Sequence, residues 1–291
     1  MKITKDKKIL IVGLGLIGGS YAEGFTNKGY FVGAITRSQK SIDYALDKGI
    51  IKEGTIEITK EFVSKYDIVI FALYPEQFTN WIEKYQDTFK SGALISDVTG
   101  VKCEIVYKIQ SILRKDVEFV PAHPMAGREV SGVENATCSI FNGSNYIVTP
   151  TSDNTKEAIE LVASIGEILG FRKVSYLTPQ EHDEMIGFLS QLTHCIAVSL
   201  MVCKESKHLV DFTGDSFRDL TRIAKINEKM WTELFIMNKH ELLSQMDLFL
   251  GQFRRLRDAL AQDDKETMQQ MMRTSTERRK YFDWLGGWIK W

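Results

Sequence analysis

The chain has 291 residues, 44% of them hydrophobic and 26% charged, with a formal net charge of −1. That is enough surface for two domains with sizeable cores, in a composition ordinary for soluble globular proteins. Without an excess of positive charge there is no general attraction to nucleic acid or acidic membranes, so any anion site must be built locally. The four cysteines, Cys103, Cys138, Cys195 and Cys203, form no C-x-x-C pair and read as reduced thiols of a cytoplasmic protein. No signal peptide fits the residues before the first strand, no metal site is expected, and the longest apolar stretch, Cys195 to Cys203, is too short to span a bilayer.

The first predicted strand, Lys8–Gly13, runs into Gly13-x-Gly15-x-x-Gly18 and then a predicted helix over Ile17–Lys28. Strand, glycines and helix in that order make a pyrophosphate cradle. The first glycine makes the tight turn, the second lets a phosphate approach the backbone, and the third lets helix and strand sit close. Further strands are predicted at Tyr30–Thr36, Asp67–Leu73, Ala93–Asp97, Glu118–Ala122, Tyr146–Thr149 and Arg172–Ser175. Helices fall between them near Ser41–Lys48, Pro75–Phe89, Lys102–Arg114 and Asn154–Leu169. Val- and Ile-rich strands alternating with amphipathic helices predict an α/β fold with a doubly wound parallel sheet of Rossmann type over residues 1–176. Ligands of such sheets gather at the carboxyl ends of the strands. Cofactor contacts are therefore expected at Gly13, Gly15, Leu16, Ile17, Gly18, Thr36, Arg37, Ser38, Leu73 and Asp97.

After Ser175 the strand signal ends. Thr178-Pro179-Gln180-Glu181 carries helix-start chemistry, with Thr178 as cap, Pro179 in the first turn and Glu181 three residues after the cap. Helices are predicted at Pro179–Cys203, Ser216–Asn227, Lys229–Gln262 and Asp264–Trp284, giving an all-helical substrate-binding and dimerisation domain over residues 177–291. Met185 to Cys203 is apolar on nearly every face, as in a helix buried inside a domain or a dimer. The aromatic tail Tyr281–Trp291 is expected to pack onto the body or a partner subunit.

The second strand ends Ala34-Ile35-Thr36-Arg37-Ser38, without the carboxylate that usually bonds the ribose of NAD. Arg37 instead offers a fork to a 2′-phosphate, with Thr36, Ser38 and Lys40 close by, so NADP is favoured over NAD. Pro121-Ala122-His123-Pro124-Met125-Ala126-Gly127 places a histidine at the end of a strand, its backbone constrained by prolines without regular structure. A neutral imidazole there suits acceptance of a hydroxyl proton as hydride leaves.

These segments together resemble the prephenate/arogenate dehydrogenase family. The glycine motif continues as Gly19-Ser20. Asp97-Val98-Thr99-Gly100-Val101-Lys102 and His123-Pro124-Met125-Ala126-Gly127-Arg128-Glu129-Val130-Ser131-Gly132 follow. In the helical half come His182-Asp183, Ser190-Gln191-Leu192-Thr193-His194, Phe217-Arg218-Asp219-Leu220-Thr221-Arg222-Ile223-Ala224 and Met230-Trp231. The resemblance implies oxidative decarboxylation of prephenate or arogenate with hydride transfer to NAD or NADP, on the route to tyrosine, in a homodimer. It assigns His123 to the substrate hydroxyl and Arg222 to a substrate carboxylate. Ser190 and His194 would line the pocket, and Glu129 and Asp219 would form an ionic network around Arg222.

Spacing agrees: Ser190 and His194 lie four apart on a helix, and Asp219 lies three before Arg222. Many family members carry serine in place of Gly100, touching the reacting end of the substrate. Here Thr99 or water would supply that hydroxyl. Two rivals stay open on the residues alone: another Rossmann-plus-helical dehydrogenase, such as a 3-hydroxyacid dehydrogenase, and a non-catalytic sensor of the dinucleotide.

Overall fold

The structure is a computed structural model that describes residues 2–205 and 207–283. Its contacts fall into two compact units, Met1–Lys239 and His240–Trp291, and the site residues considered below all lie in the first.

Six short strands build the main sheet: β1 (Lys8–Val12), β2 (Phe31–Ile35), β3 (Glu53–Thr55), β4 (Ile68–Phe71), β5 (Leu94–Asp97) and β6 (Glu118–Phe119). Between them run α1 (Leu16–Asn27), α2 (Gln39–Asp47), α3 (Lys60–Val63), α4 (Pro75–Tyr85) and α5 (Cys103–Ile112). All pairings are parallel, in the order β3-β2-β1-β4-β5-β6, so the strand order reverses at the β1–β4 crevice. Helices on both faces leave the central strands no solvent side. Ile9 to Val12 and Ile68 to Phe71 are all buried, each side chain stabilising the fold by roughly 1.5–3 kcal/mol. β3 is absent from the sequence-based prediction; its three residues, Glu-Gly-Thr, are half-buried at the sheet edge and carry no apolar signal.

The prediction of one sheet through residue 175 needs correction. After β6 the chain passes Val120 and Pro121 and starts a second, three-stranded sheet. It consists of β7 (Ala122–Pro124), β8 (Asn145–Val148) and β9 (Lys173–Tyr176), with α6 (Lys156–Ile168) joining the last two. β7 is antiparallel to β8, with His123 opposite Ile147, and β8 is parallel to β9. His123 therefore sits on a strand, not on an irregular loop. Pro121 just before the strand and Pro124 at its end have no N–H to donate, and the strand is too short to read from its sequence.

From Thr178 the chain is helical: α7 (Pro179–Ile186), α8 (Thr193–Val202), α9 (Asp215–Thr221), α10 (Glu228–Met237), α11 (Lys239–Ala261) and α12 (Lys265–Asp283). The capping box at α7 forms as expected. The Glu181 amide donates to Thr178 Oγ1 at 3.2 Å, and the Thr178 amide donates to a Glu181 oxygen at 2.8 Å. Between α7 and α8, Gly187–Leu192 winds as a π-turn, a wider coil with one extra residue. The predicted Lys229–Gln262 helix is broken at Asn238. That buried amide donates to the Asp183 carbonyl (2.9 Å) and to Gln191 Oε1 (2.7 Å), fixing the end of α10.

The expectation that Met185–Cys203 is enclosed on every face fails within one chain. Only Ala197 of α8 is buried, and Phe188, Met201 and Val202 are exposed. By length and mean hydropathy (1.7) the helix Pro179–Val202 would suffice to cross a membrane. Its His182, Asp183 and Gln191 are nevertheless buried and hydrogen-bonded to protein, as in a packing helix. In the second unit, α11 and α12 leave Leu248, Phe253, Leu260 and Met272 exposed. Of the aromatic tail, Tyr281 and Phe282 are exposed, and Trp284–Trp291 lie outside the described residues.

Candidate active site

Two groups of residues meet at the carboxyl ends of β1, β2, β4 and β5. The first is the glycine cradle. Gly13 has φ +99°, and a Cβ there would stand 2.3 Å from the Ala72 carbonyl oxygen; one at Gly18 would stand 1.9 Å from the Gly13 oxygen. A Cβ at Gly15 would meet nothing within 4 Å, so this residue faces open space. Gly15 is also the N-cap of α1 and has no side chain to satisfy the helix. The first i→i−4 bond runs from Gly19 to Gly15, leaving the amides of Leu16, Ile17 and Gly18 ahead of it. Open space in front of unsatisfied amides fits the pyrophosphate of a dinucleotide. Leu73 lines the same turn, its side chain 2.8 Å from where a Gly13 Cβ would stand. At the end of β2, Arg37 is exposed and Thr36 half-buried. The Ser38 hydroxyl oxygen accepts from the Ser41 amide and caps α2.

The second group surrounds His123. Its Nδ1 lies 2.9 Å from His182 Nε2, and His182 Nδ1 lies 2.7 Å from Asp183 Oδ1. Asp183 also accepts from the amides of Lys102 and Cys103, each at 2.8 Å, at the start of α5. Beneath them Lys102, fully buried, donates to Asp97 Oδ2 (2.7 Å) and to the Ala122 carbonyl (2.7 Å), and the Ala122 amide donates to Asp97 Oδ1 (3.1 Å). The other ring nitrogen of His123, Nε2, is 3.8 Å from where a Cβ at Gly100 would stand, as is Leu234 Cδ1 on α10. A serine in place of Gly100 would fit there at ordinary contact distance.

Burial, reinforced by His182 and Lys102, holds the His123 imidazole well below its ordinary pKa. Burial also lowers His182, against the pull of Asp183. For Asp183, burial would raise the carboxyl, but the His182 hydrogen bond and the two amides leave it below the usual range. Burial lowers Lys102 too, against Asp97.

On α8, His194 packs against the Trp231 ring with centroids 3.8 Å apart and planes tilted by 31°, and its Nδ1–H donates to the Ser190 carbonyl at 2.9 Å. Burial lowers the His194 pKa, with Glu129 and Arg222 both close enough to act on it electrostatically. Arg222 donates to Glu129 Oε1 at 2.7 Å, tying the segment after β7 to the turn after α9. A groove of 510 Å³ bounded by Met201, Val210, Phe217, Arg218 and Lys225 shares no residue with the set around His123.

Three expectations need correction. Asp97 was expected at the cofactor, but its side chain is fully buried and both oxygens are taken by Lys102, Thr99 and Ala122. Thr99 is one of the two expected sources, with water, of the hydroxyl that replaces the family serine. Instead its Oγ1 bonds Asp97, the Val101 carbonyl (3.1 Å) and Lys102 (3.2 Å) in the interior. Asp219 is expected to hold Arg222 at helical i,i+3 spacing, but α9 ends at Thr221 and the guanidinium goes to Glu129. Sequence reasoning named Lys102, His182 and Asp183 within the segments of the resemblance but gave them no role, and it did not name Asn238. A His-Asp pair in the first turns of a capped helix was the available signal.

Comparison with known proteins agrees with this fold. The family model "Prephenate dehydrogenase, nucleotide-binding domain" matches residues 22–175, and "Prephenate dehydrogenase, dimerization domain" matches residues 178–274. Prephenate dehydrogenase of Bacillus subtilis is 30% identical over 96% of this chain and 76% of its own length. Cyclohexadienyl dehydrogenase of Zymomonas mobilis is 26% identical, over 95% and 96% respectively. The crystal structure of A. aeolicus prephenate dehydrogenase with hydroxyphenyl propionate and NAD+ superposes with a TM-score of 0.88 at 30% identity, over 96% of this chain and 99% of that one. With a Rossmann sheet, a helical half and this breadth of likeness, the chain belongs to the prephenate dehydrogenase family.

Proposed function

We propose that the chain oxidises prephenate, arogenate or both, giving 4-hydroxyphenylpyruvate or tyrosine with loss of carbon dioxide. It is an oxidoreductase of the tyrosine-forming family, and a nicotinamide dinucleotide is its cofactor. The observation that carries the reading is the placement of His123 Nε2 against Gly100, 3.8 Å from where a Cβ there would stand, with His123 Nδ1 held from behind by His182.

The amides of Leu16, Ile17 and Gly18 would hold the pyrophosphate, with Leu73 against the same turn. A nicotinamide dinucleotide held there would supply the hydride acceptor. His123, neutral at working pH, takes the proton of the substrate's ring hydroxyl. Arg222, oriented by Glu129, binds a substrate carboxylate through a charge-assisted pair, and Ser190 and His194 line the pocket. Aromatisation makes the chemistry downhill, so the protein's task is alignment and proton removal. Residues 177–291 act as the substrate-binding and dimerisation half, the exposed apolar face of α8 being what a second copy would cover. The setting is cytoplasmic, in keeping with the cysteine usage.

The test is direct: incubate the protein with prephenate or arogenate and NAD or NADP, and follow the absorbance of the reduced nicotinamide. Absence of turnover with both substrates, despite dinucleotide binding, removes the reading. Arg222→Ala is expected to raise KM roughly ten- to a hundredfold, the worth of a hydrogen bond between charged groups, with a smaller change in kcat.

We further assign NADP as the preferred dinucleotide, because exposed Arg37 and no carboxylate follows β2. Arg37→Asp should then lower kcat/KM for NADP about tenfold or more, equal to about 1.4 kcal/mol, and leave NAD use nearly unchanged. A clear preference of the unmodified enzyme for NAD would dispose of this assignment.

A further inference from the structure

We propose that His182 and Asp183 form a positioning relay that fixes His123 in the one tautomer able to act as a base, and shares the positive charge when it does. The inference rests on His123 being the base and concerns what sits behind it. Asp183 accepts two backbone amides at the start of α5, those of Lys102 and Cys103, so its carboxylate receives protons in hydrogen bonds and has none to give. The proton in the 2.7 Å contact to His182 must then lie on His182 Nδ1. A neutral His182 protonated at Nδ1 presents a bare Nε2, which only accepts. The 2.9 Å contact to His123 is thus donated by His123 Nδ1–H, and the lone pair of His123 is left on Nε2, the nitrogen that faces Gly100. The geometry dictates the tautomer without reference to substrate.

The same line of groups handles the charge. When the substrate O–H bond breaks, its proton forms a bond to His123 Nε2 and the ring becomes an imidazolium. Its Nδ1 proton can then pass along the 2.9 Å contact to His182 Nε2. The single positive charge moves next to the Asp183 carboxylate, and His123 is neutral again with its proton on Nε2. The charged groups facing His182 are Asp183 of its own helix, and Lys102 and Asp97 from the β5–α5 segment. Lys102 already pairs with Asp97, leaving Asp183 as the counter-charge for the relay.

Full-length enzyme labelled with 15N in its histidines tests the tautomer directly, by long-range proton–nitrogen correlation spectra at about pH 8, where an ordinary imidazole is neutral. Five histidines contribute, and His123 is assigned by the signal lost in His123→Asn. The expected pattern is a protonated Nδ1 and a bare Nε2 for both His123 and His182. A proton on Nε2 of His123 overturns the proposal, and this measurement needs no substitution at His182.

Two variants supply the kinetic readout. His182→Phe keeps a ring but offers no acceptor, and should lower kcat about a hundredfold or more, with KM and dinucleotide affinity within about threefold. His182→Gln offers an amide oxygen near the former Nε2 and should recover at least about tenfold of that loss. A His182→Phe enzyme with kcat within about threefold of the parent would sink the relay. Full activity in His123→Asn would instead remove the base itself while leaving the parent's tautomer spectrum intact.

Discussion

Asparagine at position 123 is expected to lower kcat by about two to four orders of magnitude, the usual contribution of a positioned general base. Dinucleotide affinity should hold within about threefold, because the cradle at Gly13–Gly18 is built from other segments. Asparagine is the informative choice: its Nδ2 can still donate to His182, so the ladder with β8 and the contacts behind it persist while the basic nitrogen is lost. The pH profile follows from the direction of the shift. Burial and the neighbouring His182 and Lys102 hold the His123 pKa well below its ordinary value. The imidazole is thus already neutral where a free histidine would be half protonated. The acid limb of kcat/KM should accordingly fall below about 6.5, the value for a solvated histidine. A limb at or above that value, or an asparagine variant with most of its activity, would show that another group takes the proton.

The second large effect concerns stability. Lys102 and Asp97 are both fully buried and paired at 2.7 Å, and Lys102 also carries the Ala122 carbonyl next to His123. Replacing Lys102 by methionine keeps the apolar stem but strands the Asp97 carboxylate without its cation. Breaking a buried pair from one side costs about 3–5 kcal/mol, a large part of the roughly 5–15 kcal/mol that holds a typical domain. At roughly 2–4 °C per kcal/mol for a domain of this size, a melting temperature lower by about 10 °C is expected, read by calorimetry or circular dichroism. Adding Asp97→Asn to Lys102→Met should restore part of it by removing the stranded charge. A change in melting temperature under about 2 °C would mean that the pair does not carry this load.

What the sequence revealed and what it concealed divide along one line. The cradle was legible because its demands are local: a buried strand, three glycines and a helix start within a dozen residues. His123 was legible because prolines and the resemblance both marked it, although its strand, β7, was not. The pairing that makes β7 a strand lies with β8, more than twenty residues further on, and no pattern within Ala122–Pro124 announces it. The roles of His182 and Asp183, and Asn238 altogether, escaped for the same reason. Asp183 reaches amides about eighty residues away, and Asn238 reaches back fifty-five to the Asp183 carbonyl. Asp97 and Thr99 were placed at the right end of the right strand but given the wrong direction: position along a strand does not say which way a side chain turns. Asp219 was paired with Arg222 on the premise of a continuous helix, and α9 stops one residue before the arginine.

The π-turn at Gly187–Leu192 has a geometric corollary. Each residue of an α-helix advances the direction of its side chain by about 100°, so the one extra residue in this coil sets the angular phase of everything beyond it. His182 precedes it and is clamped to the start of α5 through Asp183; His194 follows it and meets Trp231. The two imidazoles thus belong to one rod but to two rotational settings. Shortening the coil by one residue would swing His194 through more than a quarter of a circle and leave His182 where it is. The spacing between them is a dial for where His194 meets Trp231.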